Sequence, residues 1–330
     1  MTILVCGGAG YIGSHMTALL VEKGFDTIVV DSLEKGHRAA VWPGATFYQA
    51  DLRDTAAMDD IFTQHRIDAV VHFAADMVVP ESVAEPAKYY NNNVLGTLRL
   101  LETMHKHGVK RLVFSSTAAT YGEPERVPIT EDVPTLPINP YGETKLAAEK
   151  IFRWFDGAYG LKYVALRYFN VAGAHPTARI GEAHDPETHM IPMTLFAAMG
   201  KIPQFTLFGE DYPTADGSCV RDYVHVMDLA DAHLLALEKL CAPGEVTSAV
   251  YNLGSETGFS NKEIIAAAKK VTGKDFPVTI KARRPGDPPV LIASSEKIRR
   301  ELGWAPSRTN IETIIQDAWA WHTSHPKGYN

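Results

Sequence analysis

The stretch Ile3-Leu4-Val5-Cys6-Gly7-Gly8-Ala9-Gly10-Tyr11-Ile12-Gly13-Ser14-His15 decides the fold. An apolar, β-branched run ends in glycines at Gly7, Gly10 and Gly13, and residues 15–22 then have the composition of a helix. Glycine permits a tight strand-to-helix turn and a close backbone approach to a pyrophosphate, while the helix turns its positive N-terminal end toward that anion. The spacing is G-x-x-G-x-x-G rather than G-x-G-x-x-G, so the turn alone leaves a plain tight turn as an alternative. A second signal is Asp31, which closes the run Ile28-Val29-Val30-Asp31. An acid about 20 residues after the turn accepts hydrogen bonds from an adenosine ribose and repels a 2′-phosphate, which selects NAD over NADP.

Working outward, short apolar runs recur at 27–30, 69–73, 111–114 and 164–166, separated by helix-length segments such as 54–65 and 88–107. Strands apolar on both faces and alternating with helices predict an α/β fold, a doubly wound parallel sheet covered on each side with right-handed crossovers. After about residue 170 the texture changes: Gly, Pro and His are scattered through 171–192 and 209–217, with helix-like stretches at 228–241, 261–271 and 311–322. The expected division is a dinucleotide-binding domain over 1–170 and a smaller C-terminal α/β lobe over 171–330, with some of its chain crossing back to the first domain.

Among 330 residues, 45% are hydrophobic and 22% charged, enough apolar material for a packed core and too little polar bias for extended disorder. The net charge of −7 disfavours nucleic acid, so anionic ligands must be met by local cations. Cys6, Cys219 and Cys241 form no Cys-x-x-Cys pair, and His72 has no second ligand near it in sequence, so neither a disulfide framework nor a metal site is expected. Residues 1–21 carry no Asp, Glu, Lys or Arg, but six glycine, serine and histidine positions interrupt them and the basic start of a signal peptide is missing. A cytoplasmic, membrane-free protein is expected.

The most informative constellation is Ser115-Ser116-Thr117 at a strand end, followed by Pro140-Tyr141-Gly142-Glu143-Thr144-Lys145 opening a helix. Tyr141 and Lys145 stand four apart and project from one helical face. A tyrosine is a poor base at neutral pH, and a neighbouring ammonium together with a positively charged nicotinamide would favour its phenolate. Thr117 can share the proton or orient a substrate hydroxyl. Two more strand ends, Asp51-Leu52 and Phe73-Ala74-Ala75, fall on the same carboxyl edge, where open α/β sheets place ligands.

With these residues in view, the chain resembles the extended short-chain dehydrogenase/reductase superfamily, with its Rossmann domain, and within it the UDP-glucose 4-epimerases. The likeness runs through the strings at 7–15, 89–94, 115–122, 166–170, 173–176, 211–214, 220–230 and 283–287. The resemblance implies NAD touching Tyr11, Ile12, Asp31, Ser32, Asp51, Leu52, Phe73, Ala74, Ala75, Asn92, Ser115, Tyr141, Lys145, Tyr168 and Phe169, beside Gly7, Gly10 and Gly13. It implies a UDP-sugar, UDP-galactose or UDP-glucose, held by Thr117, Asn170, His189, Phe208, Arg221, Arg284 and Asp287, with Leu291 bordering the sugar. The catalytic residues would be Thr117, Tyr141 and Lys145, and helices around 88–107 and 143–155 would pair across a two-fold axis into a homodimer. Arg221 and Arg284 suit a diphosphate, yet each could equally be spent on a salt bridge with a neighbouring acid. The chain departs from many members at Met77, Thr117, His189 and Leu291. A nucleotide-sugar 4,6-dehydratase and a non-catalytic dinucleotide sensor are the alternatives.

Overall fold

The computed structural model describes residues 1–284 and 287–330; Pro285 and Gly286, inside the 283–287 string, lie outside the described residues. Seven parallel strands form the central sheet in the spatial order Ala249–Leu253, Lys162–Tyr168, Arg111–Ser115, Ala69–His72, Thr2–Cys6, Asp26–Asp31, Thr46–Gln49. From the first strand the chain winds outward to Thr46–Gln49, then crosses back to Ala69–His72 and winds outward the other way. The order therefore reverses between Thr2–Cys6 and Ala69–His72, and such a reversal opens a ligand crevice at the carboxyl ends of the two strands.

Alternation along each strand explains the unbroken apolar runs. Ile3 and Val5 point to one face, into a core shared with Met16, Leu19 and Leu20 of the helix Tyr11–Glu22 and with the helix Val226–Cys241. Leu4 and Cys6 point to the other, into a core with Met58, Leu100, Met104 and Phe152. A strand sandwiched between two helix layers has no solvent side on which to place polar residues.

Two strands of the central sheet were not among the runs read from sequence. Thr46–Gln49 is a half-exposed sheet edge of mixed polarity, and Ala249–Leu253 is supplied by the second half of the chain, which thus crosses back into the first sheet. The segment read as one helix over 88–107 is Pro86–Tyr89, a π-helical stretch Tyr90–Leu95, and Gly96–Lys106. The second-half helices Met190–Ala198, Asn261–Thr272 and Ile311–Ser324 and the strand Phe205–Phe208 pack around a core of their own with Ile191, Leu195, Phe205, Leu207, Ile264 and Ile314. Among the described residues no helix is long and apolar enough to cross a membrane.

Candidate active site

The glycine turn is held by backbone packing. Gly7 has φ +79°, and a Cβ there would lie 2.6 Å from Ala74 N; a Cβ on Gly13 would lie 2.1 Å from Gly7 O. Side chains are excluded because the turn, the helix start and the strand end Phe73-Ala74 meet backbone to backbone. Gly10 is less constrained, its Cβ position being 3.4 Å from Gly7 O. Asp31 locks the turn: Ala9 N donates to Oδ2 at 3.0 Å and Leu33 N to Oδ1 at 2.9 Å. Burial pushes the Asp31 carboxyl pKa up, and these two N–H groups pull against it.

Around this cradle, the Tyr11 hydroxyl donates to Gly173 O at 2.7 Å, and Ile12 packs on the core. Ser32 Oγ accepts from Glu34 N, and Leu52 is buried. Asp51 takes a two-armed grip from Arg53, with Nε 2.9 Å from Oδ1. Phe73 lies 4.8 Å from the His233 ring, and Ala74 and Ala75 stay partly open. The π-helical stretch brings two asparagines to one acid. Asn92 Nδ2 donates to Asp76 Oδ2 at 3.0 Å, while the Asn93 amide spans the Asp76 backbone N–H and carbonyl at 2.8 and 3.0 Å. His72 contacts Thr97 Oγ1 at 2.9 Å, a buried structural pairing as its surroundings in sequence suggested.

The triplet Ser115-Ser116-Thr117 continues the strand Arg111–Ser115. Thr117 caps the short turn Ala118–Tyr121, its Oγ1 accepting from Ala119 N at 3.1 Å. The helix Pro140–Tyr159 starts where Asn139 Oδ1 accepts from Gly142 N at 2.9 Å, with Pro140 first in the helix. A Cβ on Gly142 would come 2.6 Å from Ala119 O. That backbone contact seats the helix start on the Thr117 turn and brings Tyr141 beside it. Burial pushes Tyr141 up to about 12, with the Thr117 hydrogen bond opposing.

Lys145, one turn on, is buried, donates from Nζ to Ser115 O at 2.9 Å and lies 4.8 Å from the Phe114 ring centre. Burial pushes it down to about 7, and the Glu149 carboxylate pulls it back up. Behind the triplet, Glu149 accepts from Ser116 Oγ at 2.5 Å and is gripped by both arms of Arg167, Nε at 2.9 Å. Ser115 Oγ bonds the Tyr168 hydroxyl.

The remaining candidates lie on the second-half elements. Asn170 N and Nδ2 both donate to Asp222 O, at 3.2 and 3.0 Å. Buried Asp222 ties a small sheet together by accepting from Ser255 N and Oγ, each at 2.6 Å, and from Ala293 N at 3.0 Å. In that sheet Arg221 stands in register with Leu291 and its guanidinium pairs with Asp287. Leu291 packs with Phe169 on Ala118, Tyr121, Ile129 and Val133, the cluster beneath the Thr117 turn. Arg284 lies over the Phe208 ring, 4.0 Å from its centre. His189 is drawn into a different grouping: its Nδ1 is 2.9 Å from both Glu182 Oε1 and Glu187 Oε1. Sequence reasoning missed Glu149 and Arg167, whose only local signal is that Glu149 is four residues beyond Lys145. It also missed Glu182, His184 and Glu187, although the spacing Glu-x-His-x-x-Glu-x-His was visible.

The NAD dependent epimerase/dehydratase family model matches residues 3–254. The chain is 57% identical to the UDP-glucose 4-epimerase of Lacticaseibacillus casei over 329 residues, covering 100% of this chain and 99% of the relative. It is 58% identical to that of Streptococcus mutans over 332 residues, covering 100% and 99%. The chain belongs to the UDP-glucose 4-epimerase family. Its fold is similar to the crystal structure of the Bifidobacterium longum UDP-glucose 4-epimerase in complex with NAD+ and UDP, with a TM-score of 0.93 at 39% identity, covering 99% of this chain and 100% of that one. The general family model ends before Arg284, Asp287 and Leu291, so for these positions it is the full-length epimerase relatives that carry the likeness.

Proposed function

We propose that this chain interconverts UDP-galactose and UDP-glucose by NAD-dependent oxidation and reduction at sugar C4. The observation that carries the reading is that the Thr117 turn and the Tyr141–Lys145 helix start are packed backbone to backbone at the same sheet edge as the glycine cradle. The cradle fits a dinucleotide. Gly7, Gly10 and Gly13 leave bare backbone at the start of a helix, and Asp31 offers an acceptor where a 2′-phosphate would need a cation. Tyr11, Ile12, Ser32, Asp51, Leu52, Phe73, Ala74, Ala75, Asn92, Ser115, Tyr168 and Phe169 complete the contacts, and residues 1–170 form the NAD domain.

When bound, NAD supplies the hydride acceptor, returns the same hydride and adds positive charge near the phenol. Tyr141, as phenolate, takes the proton of the sugar 4-hydroxyl and later returns it to the 4-keto oxygen. Thr117, beside Tyr141 across the Gly142–Ala119 contact, orients that hydroxyl. Lys145 holds the nicotinamide ribose and contributes its charge.

Residues 171–330 mainly hold the UDP-sugar, through Asn170 at the boundary, Phe208, Arg221, Arg284 and Asp287, while the His189 imidazole is held by Glu182 and Glu187. An anchored UDP lets the 4-keto sugar turn over and present its other face. Leu291 lines that space without a hydroxyl, which leaves room for N-acetylated UDP-sugars. Exposed Trp154 and Tyr159 on the helix Pro140–Tyr159 suit a homodimer built with Gly96–Lys106, and sedimentation tests it. Three unpaired cysteines suit the cytoplasm. The dehydratase alternative lacks support because Ala118 and Ala119 follow Thr117 where an acid would be needed. Incubation with UDP-galactose is expected to yield UDP-glucose; a 4-keto-6-deoxy product, or none, overturns the reading.

A further inference from the structure

The segment 182–189 places two carboxylates and two imidazoles around one point. Glu182, His184, Glu187 and His189 each offer an atom such that all four lie within 4.8 Å of one another. His184 Nδ1 is 3.1 Å from Glu182 Oε1 and 3.5 Å from Glu187 Oε2, and His189 Nδ1 is 2.9 Å from Glu182 Oε1 and from Glu187 Oε1. Zinc bonds to nitrogen and oxygen of about 2.0–2.2 Å set the edges of a coordination tetrahedron at about 3.3 Å. The His184–Glu182 and His189–Glu182 spacings fall within about 0.4 Å of that edge. An ordinary ion-pair cluster would satisfy each oxygen with a donor. Here Glu187 Oε1 already accepts from Thr188 N at 2.7 Å and His189 N at 2.8 Å. Its sister Oε2, on a side chain only 4% exposed, is buried and accepts no hydrogen bond among the described residues, facing His184 Nδ1 at 3.5 Å.

We infer that Glu182, His184, Glu187 and His189 form a structural zinc site. Four protein ligands and no open position make it a closed site of the structural kind, and two imidazoles with two carboxylates suit Zn²⁺ over Mg²⁺ or Ca²⁺, which prefer oxygen alone. Trp321 Nε1 donates to Glu182 O at 2.9 Å, and the helix Met190–Ala198 begins directly after His189. The ion pins the loop leading into that helix against the C-terminal helix Ile311–Ser324. It takes no part in the hydride transfer.

The test uses the untagged full-length protein, stripped with a chelator and titrated with ZnCl2. About one zinc per chain is expected, with Tm rising by about 3–6 °C when free zinc is about a hundredfold above Kd. X-ray absorption should show nitrogen and oxygen neighbours including two imidazoles. Glu187→Gln keeps the acceptor for the two backbone N–H groups, and His184→Ala leaves that anchor untouched; each should weaken zinc binding at least tenfold. No zinc uptake by the wild type, sulfur in the coordination shell, or unchanged binding in both variants would overturn the inference.

Discussion

The two halves of the active site are built in different ways. At the catalytic edge, position is set by backbone: Gly7 on Ala74, Gly13 on Gly7 and Gly142 on Ala119 leave no room for a side chain, and Lys145, Glu149 and Arg167 are buried behind the triplet. In the second half, position is set by side chains that hold one another: Arg221 and Phe208 on short strands pair with Asp287 and Arg284 of the connecting segment. The first arrangement is fixed by backbone contact, the second by pairs of side chains, and in the proposed function the Arg221–Asp287 pair would turn toward a diphosphate.

If the catalytic edge is rigid because of its buried backing, Glu149→Gln should have the largest effect. It leaves the Arg167 charge without its partner in a dry interior, a change that typically costs about 3–5 kcal/mol. Thermal unfolding reads it, and an unchanged Tm would mean that the backing is dispensable. Tyr141→Phe keeps the ring and removes only the oxygen, so turnover should fall at least about a hundredfold, equivalent to about 2.7 kcal/mol, while UDP affinity stays the same. Retention of most of the rate removes Tyr141 from the mechanism.

On the nucleotide side, Arg221→Ala removes a charged donor worth about 1.5–3 kcal/mol and should raise KM about 10- to 150-fold with little loss of kcat. Titration calorimetry with UDP checks it; a loss confined to kcat would place Arg221 on the catalytic side of the comparison instead. The smallest effect should come from Leu291→Tyr. One group in a pocket changes discrimination by about 1–3 kcal/mol, and the added bulk should lower activity on UDP-N-acetylgalactosamine relative to UDP-galactose. An unchanged ratio would leave Leu291 as packing for Phe169 and Tyr121.

The same contrast governs what could be read from the sequence. The glycine turn, Asp31 and the Tyr141–Lys145 spacing are local patterns with local causes, and the structure places all of them at one sheet edge. The strand Ala249–Leu253 escaped notice because its partner, Lys162–Tyr168, lies some eighty residues earlier and nothing local announces the pairing. The π-helical stretch was invisible because Tyr90–Leu95 has ordinary helical composition, and only the pull of Asp76 on Asn92 and Asn93 reveals why it matters. Arg221, Arg284 and Asp287 carried no signal apart from resemblance, since an arginine poised for phosphate and one in a surface ion pair look alike in sequence. Lys145 stands on the helix four residues beyond Tyr141 as its spacing suggests, and its Nζ donates to Ser115 O, a partner that the spacing does not reveal.

The most direct test of the account is to run the reaction in D2O and examine C4 of the product by NMR. Because Tyr141 and Thr117 handle only the hydroxyl proton, while the hydrogen on carbon leaves and returns as hydride within the closed site, UDP-glucose formed from UDP-galactose should carry protium at C4. Deuterium at C4 would mean that the carbon-bound hydrogen exchanges with solvent as a proton, and it would contradict the mechanism.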